Sequence, residues 1–180
     1  VDLYRRQLDS GSQRSAELHV KIARVLARRM QDVAGAFDEL EEALGIEKQH
    51  EGAVAELEQL MASGTEAEHR ARAAAILEPV YLSRADFGKV MATIQARLEF
   101  SQDPDERREL LSRLAQLYEE QKEDYVAALE TTAKLLHEDL SDEPTQAELE
   151  RLAKVAGAER RLAEIYAAEL AEVTSDEAAT

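Results

Sequence analysis

The chain has 180 residues and a formal net charge of −16, from 22 Lys and Arg against 38 Asp and Glu. That balance argues against a nucleic-acid binder, which needs a basic surface to displace counterions. There is no Cys, so disulfides, thiol catalysis and zinc-thiolate sites are excluded. Seven Gly and three Pro leave little room for a turn-rich β fold, whereas Ala, Leu, Glu and Arg, all good helix formers, dominate.

Apolar residues recur at helical spacing almost throughout, which predicts about ten helices and an all-α fold. The first is a stub over 1–9, already amphipathic at Val1, so the chain reads as a fragment of a longer protein. The second covers 14–30, with a buried stripe through Leu18, Ile22, Val25 and Leu26 bounded by Arg29. The third covers 32–46 through Val33, Phe37, Leu40 and Leu44. A short helix at 51–62 follows, closed by Gly64-Thr65, and Thr65 with Glu68 has capping-box spacing. The helix at 66–83 contains Pro79, which predicts a kink or break over 76–79.

The next helix spans 84–100, through Phe87, Val90, Met91, Ile94 and Leu98. Asp103-Pro104 marks the start of a helix over 105–121. Helices at 123–138, 145–155 and 158–172 complete the series, with a loop at 140–144. The tail 174–180 is small and polar, which predicts a frayed end.

The chain also resembles itself. Residues 17–62 lie over 109–154 without a gap, at an offset of 92, with 12 identities in 46 positions. These include Glu17-Leu18 on Glu109-Leu110, Asp32 on Asp124, Ala36 on Ala128, and Ala55-Glu56-Leu57-Glu58 on Ala147-Glu148-Leu149-Glu150. Self-similarity at a fixed period is the signature of a repeat array, each unit burying its apolar face on its neighbour. A weaker offset of 38 puts Asp86-Phe87 on Asp124-Tyr125 and Leu98 on Leu136, implying helix pairs of roughly 35–40 residues. In the second copy the counterpart of the helix at 66–83 reads as missing. The domain reading is one helical-repeat domain over 1–173.

Catalytic and metal chemistry has no foothold in the motifs. His19, His50, His69 and His137 never pair at metal-ligand spacing, and His19 falls on an apolar stripe as a partly buried core residue. Acid pairs such as Glu41-Glu42 and Glu119-Glu120 read as solvated faces, and no glycine-rich phosphate loop occurs. No cofactor or metal is expected, and the chain reads as not an enzyme. Tyr81 and Leu82 beside Pro79 are read as packing on the next helix rather than forming an exposed patch. Charge is uneven, with seven basic and three acidic side chains in 1–30 and the acidic excess beyond.

Several residues carry a family likeness. Leu111, Leu114-Ala115 and Tyr118, then Asp124-Tyr125, Ala128 and Thr132, resemble the tetratricopeptide repeat; Ile22-Ala23, Leu26, Asp32 and Ala36 repeat the pattern. Small residues at Ala23, Ala115, Ala36 and Ala128 would let paired helices approach closely. Leu111 and His19 stand where the family's Trp would, and the linker before Asp124 is one residue longer than the family's. The resemblance implies a right-handed α-solenoid of antiparallel helix pairs that binds another protein or peptide on its concave face. It places Arg24, Arg28, Gln116, Glu119 and Glu120 on that face. The basic set that clamps peptide C-termini in some members is not reproduced, since Arg24 and Arg28 correspond to Gln116 and Glu120. A non-catalytic scaffold is the leading reading; a self-assembly module acting through repeat ends and a recruiting region of a larger enzyme are the alternatives. Neither nucleic acid nor membrane is an expected partner, and the absence of Cys fits a reducing, cytoplasmic setting.

Overall fold

Helical spacing of Ala and Leu is realised as helix along nearly the whole chain. The computed structural model describes residues 4, 6, 15–63 and 66–179, among which every regular element is helical and none is a strand. Two compact units result, Val1–Phe100 and Ser101–Thr180, where the sequence reading has one repeat domain. The stub expected over 1–9 lies outside the described residues, apart from Tyr4 and Arg6, both helical.

The first unit contains α1 (Ser15–Val25, continued by a π-helical turn Leu26–Met30), α2 (Val33–Ile46), α3 (Glu51–Ser63), α4 (Ala67–Ser83) and α5 (Phe87–Leu98). α1 packs on α2 and α3, α4 packs on α3 and α5, and α4 also touches α2. Two junctions, α1–α2 and α4–α5, are built alike. A residue in the left-handed conformation (Gln31, φ 57°; Ala85, φ 52°) stops one helix, and the Asp after it caps the next. Asp32 accepts the Gly35 N–H at 2.9 Å and Asp86 accepts the Lys89 N–H at 3.2 Å. An aspartate there satisfies one of the donors that a helix start leaves unpaired. Helices joined so tightly fold back as hairpins. Their inner faces bury Ile22, Ala23, Ala36, Phe37, Leu40, Leu57, Leu77 and Ile94.

The second unit contains α6 (Pro104–Lys122), α7 (Tyr125–Glu138), α8 (Glu143–Ala156) and α9 (Glu159–Ala179). α6 packs on α7, α7 on α8 and α8 on α9. Ala128, Leu129, Leu136, Leu149, Leu152, Ala153 and Ile165 form its core, with Tyr118, Tyr125, Leu162 and Tyr166 packed around it. The offset of 92 reappears in the helix bounds. α2 at 33–46 corresponds to α7 at 125–138, and the starts of α3 and α4 correspond to those of α8 and α9. Glu123 (φ 52°) repeats Gln31, and Asp124 repeats the Asp32 cap by accepting the Ala127 N–H at 2.9 Å. The four alanines matched between copies, Ala23, Ala36, Ala115 and Ala128, are all buried.

Several expectations are corrected. α9 starts 92 residues after α4, so the counterpart of α4 is present. α4 runs unbroken through Pro79, and its N-cap is Glu66, without a side-chain cap bond; Gly64 and Thr65 lie outside the described residues. Pro144 sits in the first turn of α8, where its missing N–H costs nothing, so the loop ends earlier than expected. α9 extends as helix to Ala179, beyond the end at 172 expected from the sequence.

The extra linker residue before Asp124 also has a structural form. The Asp32 N–H reaches back to the Leu26 carbonyl at 3.0 Å, and the Asp124 N–H to the Tyr118 carbonyl at 2.9 Å, both six residues back. The Asp86 N–H reaches only five back, to Tyr81 at 3.0 Å. The last turn of the helix widens to take up the residue, which in α1 gives the π-turn.

Candidate partner-binding grooves

The five residues singled out by sequence fall on corresponding helices of the two units, α1 and α6. In the first unit, Arg24 donates through Nε to Glu56 Oε1 of α3 at 2.7 Å. Arg28, brought round by the π-turn, donates to Glu56 Oε2 at 3.0 Å and to Gln59 Oε1 at 2.8 Å. Glu56 is half-buried, so the two guanidiniums converge on one carboxylate and tie α1 to α3. They are not an open basic patch.

In the second unit the corresponding helices are linked through other positions, with the arginine on the third helix rather than the first. Glu119 on α6 accepts from Arg151 Nη2 on α8 at 2.6 Å, and Arg151 also holds Glu148 at 2.6 Å. Glu148 and Glu119 together hold the Arg151 guanidinium more firmly protonated than a free arginine. Gln116 donates along its own helix to Glu120 at 2.8 Å. Gln116, Glu119 and Glu120 all line a groove of about 470 Å³ between α6, α7 and α8. Its floor holds Ala115, Leu135 and Leu152, and its rim adds Arg108, Asp142 and Glu148. Arg108 leans on Asp142 at 3.4 Å and Asp139 at 3.5 Å, at the edge of hydrogen-bonding range. Four carboxylates against Arg108 and the engaged Arg151 leave the groove acidic, and its apolar floor suits a side chain inserted from outside.

Sequence reasoning missed Glu56 on α3, Arg108 on α6, Asp142 at the start of α8 and Arg151 on α8. The signal was available in the spacing of opposite charges. Arg24–Glu56 and Glu119–Arg151 are each 32 residues apart, and Arg108–Asp142 is 34. Other polar residues knit the helices without forming a reaction site. His19 is half-buried on α1 and its Nδ1 lies 2.6 Å from Glu39 of α2. Tyr81 is buried, its hydroxyl donating to Glu58 at 2.7 Å, while Leu82 is exposed, so the expected packing holds for Tyr81 alone. Lys89 of α5 donates to the same carboxylate at 2.6 Å and lies over the Tyr81 ring. Lys89 and Tyr81 together hold the Glu58 carboxyl below its usual range, and burial with the Glu58 bond pushes the Tyr81 hydroxyl well up. Among the described residues no group of three or more His, Asp or Glu could hold a metal, and no helix is long and apolar enough to cross a membrane. No protein-family model and no curated protein matches the sequence.

Proposed function

We propose that the chain is a non-catalytic protein-binding scaffold, built as a right-handed α-solenoid of antiparallel helix pairs related to tetratricopeptide repeats. Its partner is a basic, extended segment of another protein that lies in the α6–α8 groove against Gln116, Glu119 and Glu120. The observation that carries this reading is that these three residues, picked out by the repeat pattern, line one acidic groove with an apolar floor. The array reading draws support from the contacts that join α2 to α4 and α6 to α8. Asp38–Arg72, Gln49–Ser83 and Arg108–Asp142 are each 34 residues apart, the length of a tetratricopeptide unit.

A photo-crosslinking residue at Gln116 tests the site. The full chain carrying it is irradiated in lysate, and the adducts are mapped by mass spectrometry. The expected result is one dominant partner, crosslinked through a Lys- or Arg-rich segment and lost when Glu119→Lys and Glu120→Lys are combined, with helical content unchanged. Attraction of this kind mainly speeds encounter and weakens with salt, so the adduct should fade as salt rises. Adducts that survive the double substitution would remove this groove from the account.

A further inference from the structure

The first unit contains a second groove, independent of that reading, between α2 and α4. Its volume is about 630 Å³; Leu44, Ile76, Pro79 and Val80 wall it, and Lys48 and Arg72 stand among its lining. Polar links pin the two helices at both ends. Arg72 donates to Asp38 at 2.6 Å and Glu41 at 3.2 Å, and its guanidinium carbon sits 4.9 Å from the centre of the Phe37 ring. At the other end Gln49 donates to Ser83 Oγ at 3.1 Å, and Arg84 reaches the Gln49 carbonyl at 3.3 Å. Both links join residues 34 apart, so α2 and α4 run in the same direction and in register, with the groove held open between the links. From Arg72 to Ser83 the groove is about 16 Å long, three turns of helix.

Two residues that weaken their own helices face this space. Gly45 lies in the last turn of α2 without a positive φ, and a Cβ added to it would meet nothing within 4 Å. Neither its backbone nor its packing requires glycine, and Ala is the better helix former. Pro79, in mid-helix, deprives the Ala75 carbonyl of its N–H donor, and both residues line the groove. The charge is local too. Lys48 is exposed and makes no ion pair among the described residues, whereas Arg72 is already held by Asp38 and Glu41. Lys48 is thus the cation of this lining left to meet a partner's carboxylate.

We propose that this groove docks an acidic amphipathic helix from a partner protein. Apolar residues at i, i+3 or i+4, and i+7 seat against Leu44, Ile76 and Pro79, the recurring helix-in-groove mode. The open space over Gly45 admits the close approach of the docked helix, and an Asp or Glu on its flank meets Lys48.

The test is a displayed library of helical peptides of about 16 residues, long enough to span the groove with turns to spare. The apolar stripe is fixed, the flanking positions are randomised, and selection is on the full chain. Enriched peptides should carry Asp or Glu on one flank. They should lose about tenfold or more in affinity to Gly45→Leu, which fills the groove, and to Lys48→Glu, which reverses the rim, since a matched charge replaced by a like charge repels. Gly45→Ala should still bind. Lys48 is a surface residue, so Lys48→Glu decides the matter even if Gly45→Leu folds poorly. No enrichment, basic or uncharged flanks, or undiminished binding to Lys48→Glu would overturn the proposal.

Discussion

Residues 15–63 and 104–156 each hold three helices that correspond at an offset of 92, with different surfaces. Both have a left-handed residue, an aspartate cap, buried alanines at matched positions and a polar link from the first helix to the third. In the first copy the link runs from Arg24 and Arg28 to Glu56; in the second it runs from Arg151 back to Glu119. Backbone geometry and core positions are held while the surface pair moves: at the offset of 92, Arg24 and Glu56 correspond to Gln116 and Glu148, and Glu119 and Arg151 to Ala27 and Gln59. The energetics explain why. A buried leucine or a helix cap stabilises by one to several kcal/mol, whereas an exposed ion pair contributes about 0–1 kcal/mol. Charge at these positions can therefore change without loss of fold, leaving one copy with an internal basic clasp and the other with an acidic groove.

The largest effect should come from the matched core leucines. Leu57→Ala and Leu149→Ala each remove a fully buried side chain and should each cost about 2–5 kcal/mol. Denaturant unfolding of both variants sharpens the comparison: similar losses mean equivalent cores, and a negligible loss at either position would break the equivalence. Next come the caps. Asp32→Ala and Asp124→Ala should each cost about 1 kcal/mol in the same measurement, because each leaves an N–H at the helix start without its acceptor.

Glu58 offers a pH test of what distinguishes the first copy. Its carboxyl titrates below its usual range because Lys89 and Tyr81 bond to the ionised form. A depressed pKa stabilises at pH values above the unfolded-state pKa, about 4.3, and that contribution is lost as pH falls through the folded-state value. Glu58→Gln should therefore flatten the decline of stability on acidification. An unchanged pH slope would show that the bonds to Glu58 do not persist in solution. The smallest effect belongs to the Glu119–Arg151 pair. A double-mutant cycle on Glu119→Ala and Arg151→Ala should give a coupling below about 1 kcal/mol, shrinking with salt, as for other exposed pairs.

Much of this was legible in the sequence. The boundaries of α2, α3, α6 and α7 fell close to their periodic apolar stripes, and those of α2 and α7 match at the offset of 92. Asp32 and Asp124, matched by the offset, turned out to be caps, because a short acceptor side chain at a helix start has a local role that spacing reveals. Other features were hidden for physical reasons. The widened turn at Leu26–Met30 depends on which carbonyl the Asp32 N–H finds, which no side-chain pattern records. Pro79 misled because a single lost hydrogen bond is outweighed by the buried faces of Leu77, Val80 and Tyr81 beside it. The α6–α8 groove was half legible: Gln116, Glu119 and Glu120 lay on a recognisable helix, whereas Arg108, Asp142 and Glu148 join them only through tertiary packing. The groove at Gly45 left no signal beyond a glycine near the end of a helix.

The central claim is that one helical unit occurs twice. Backbone residual dipolar couplings measured on the full chain in solution test it most directly, since they report helix directions within each segment. Residues 17–62 and 109–154 should fit one common three-helix geometry, superposing within about 3 Å over Cα atoms, because shared packing positions fix the crossing angles. Couplings that require unrelated helix directions in the two segments would contradict the claim.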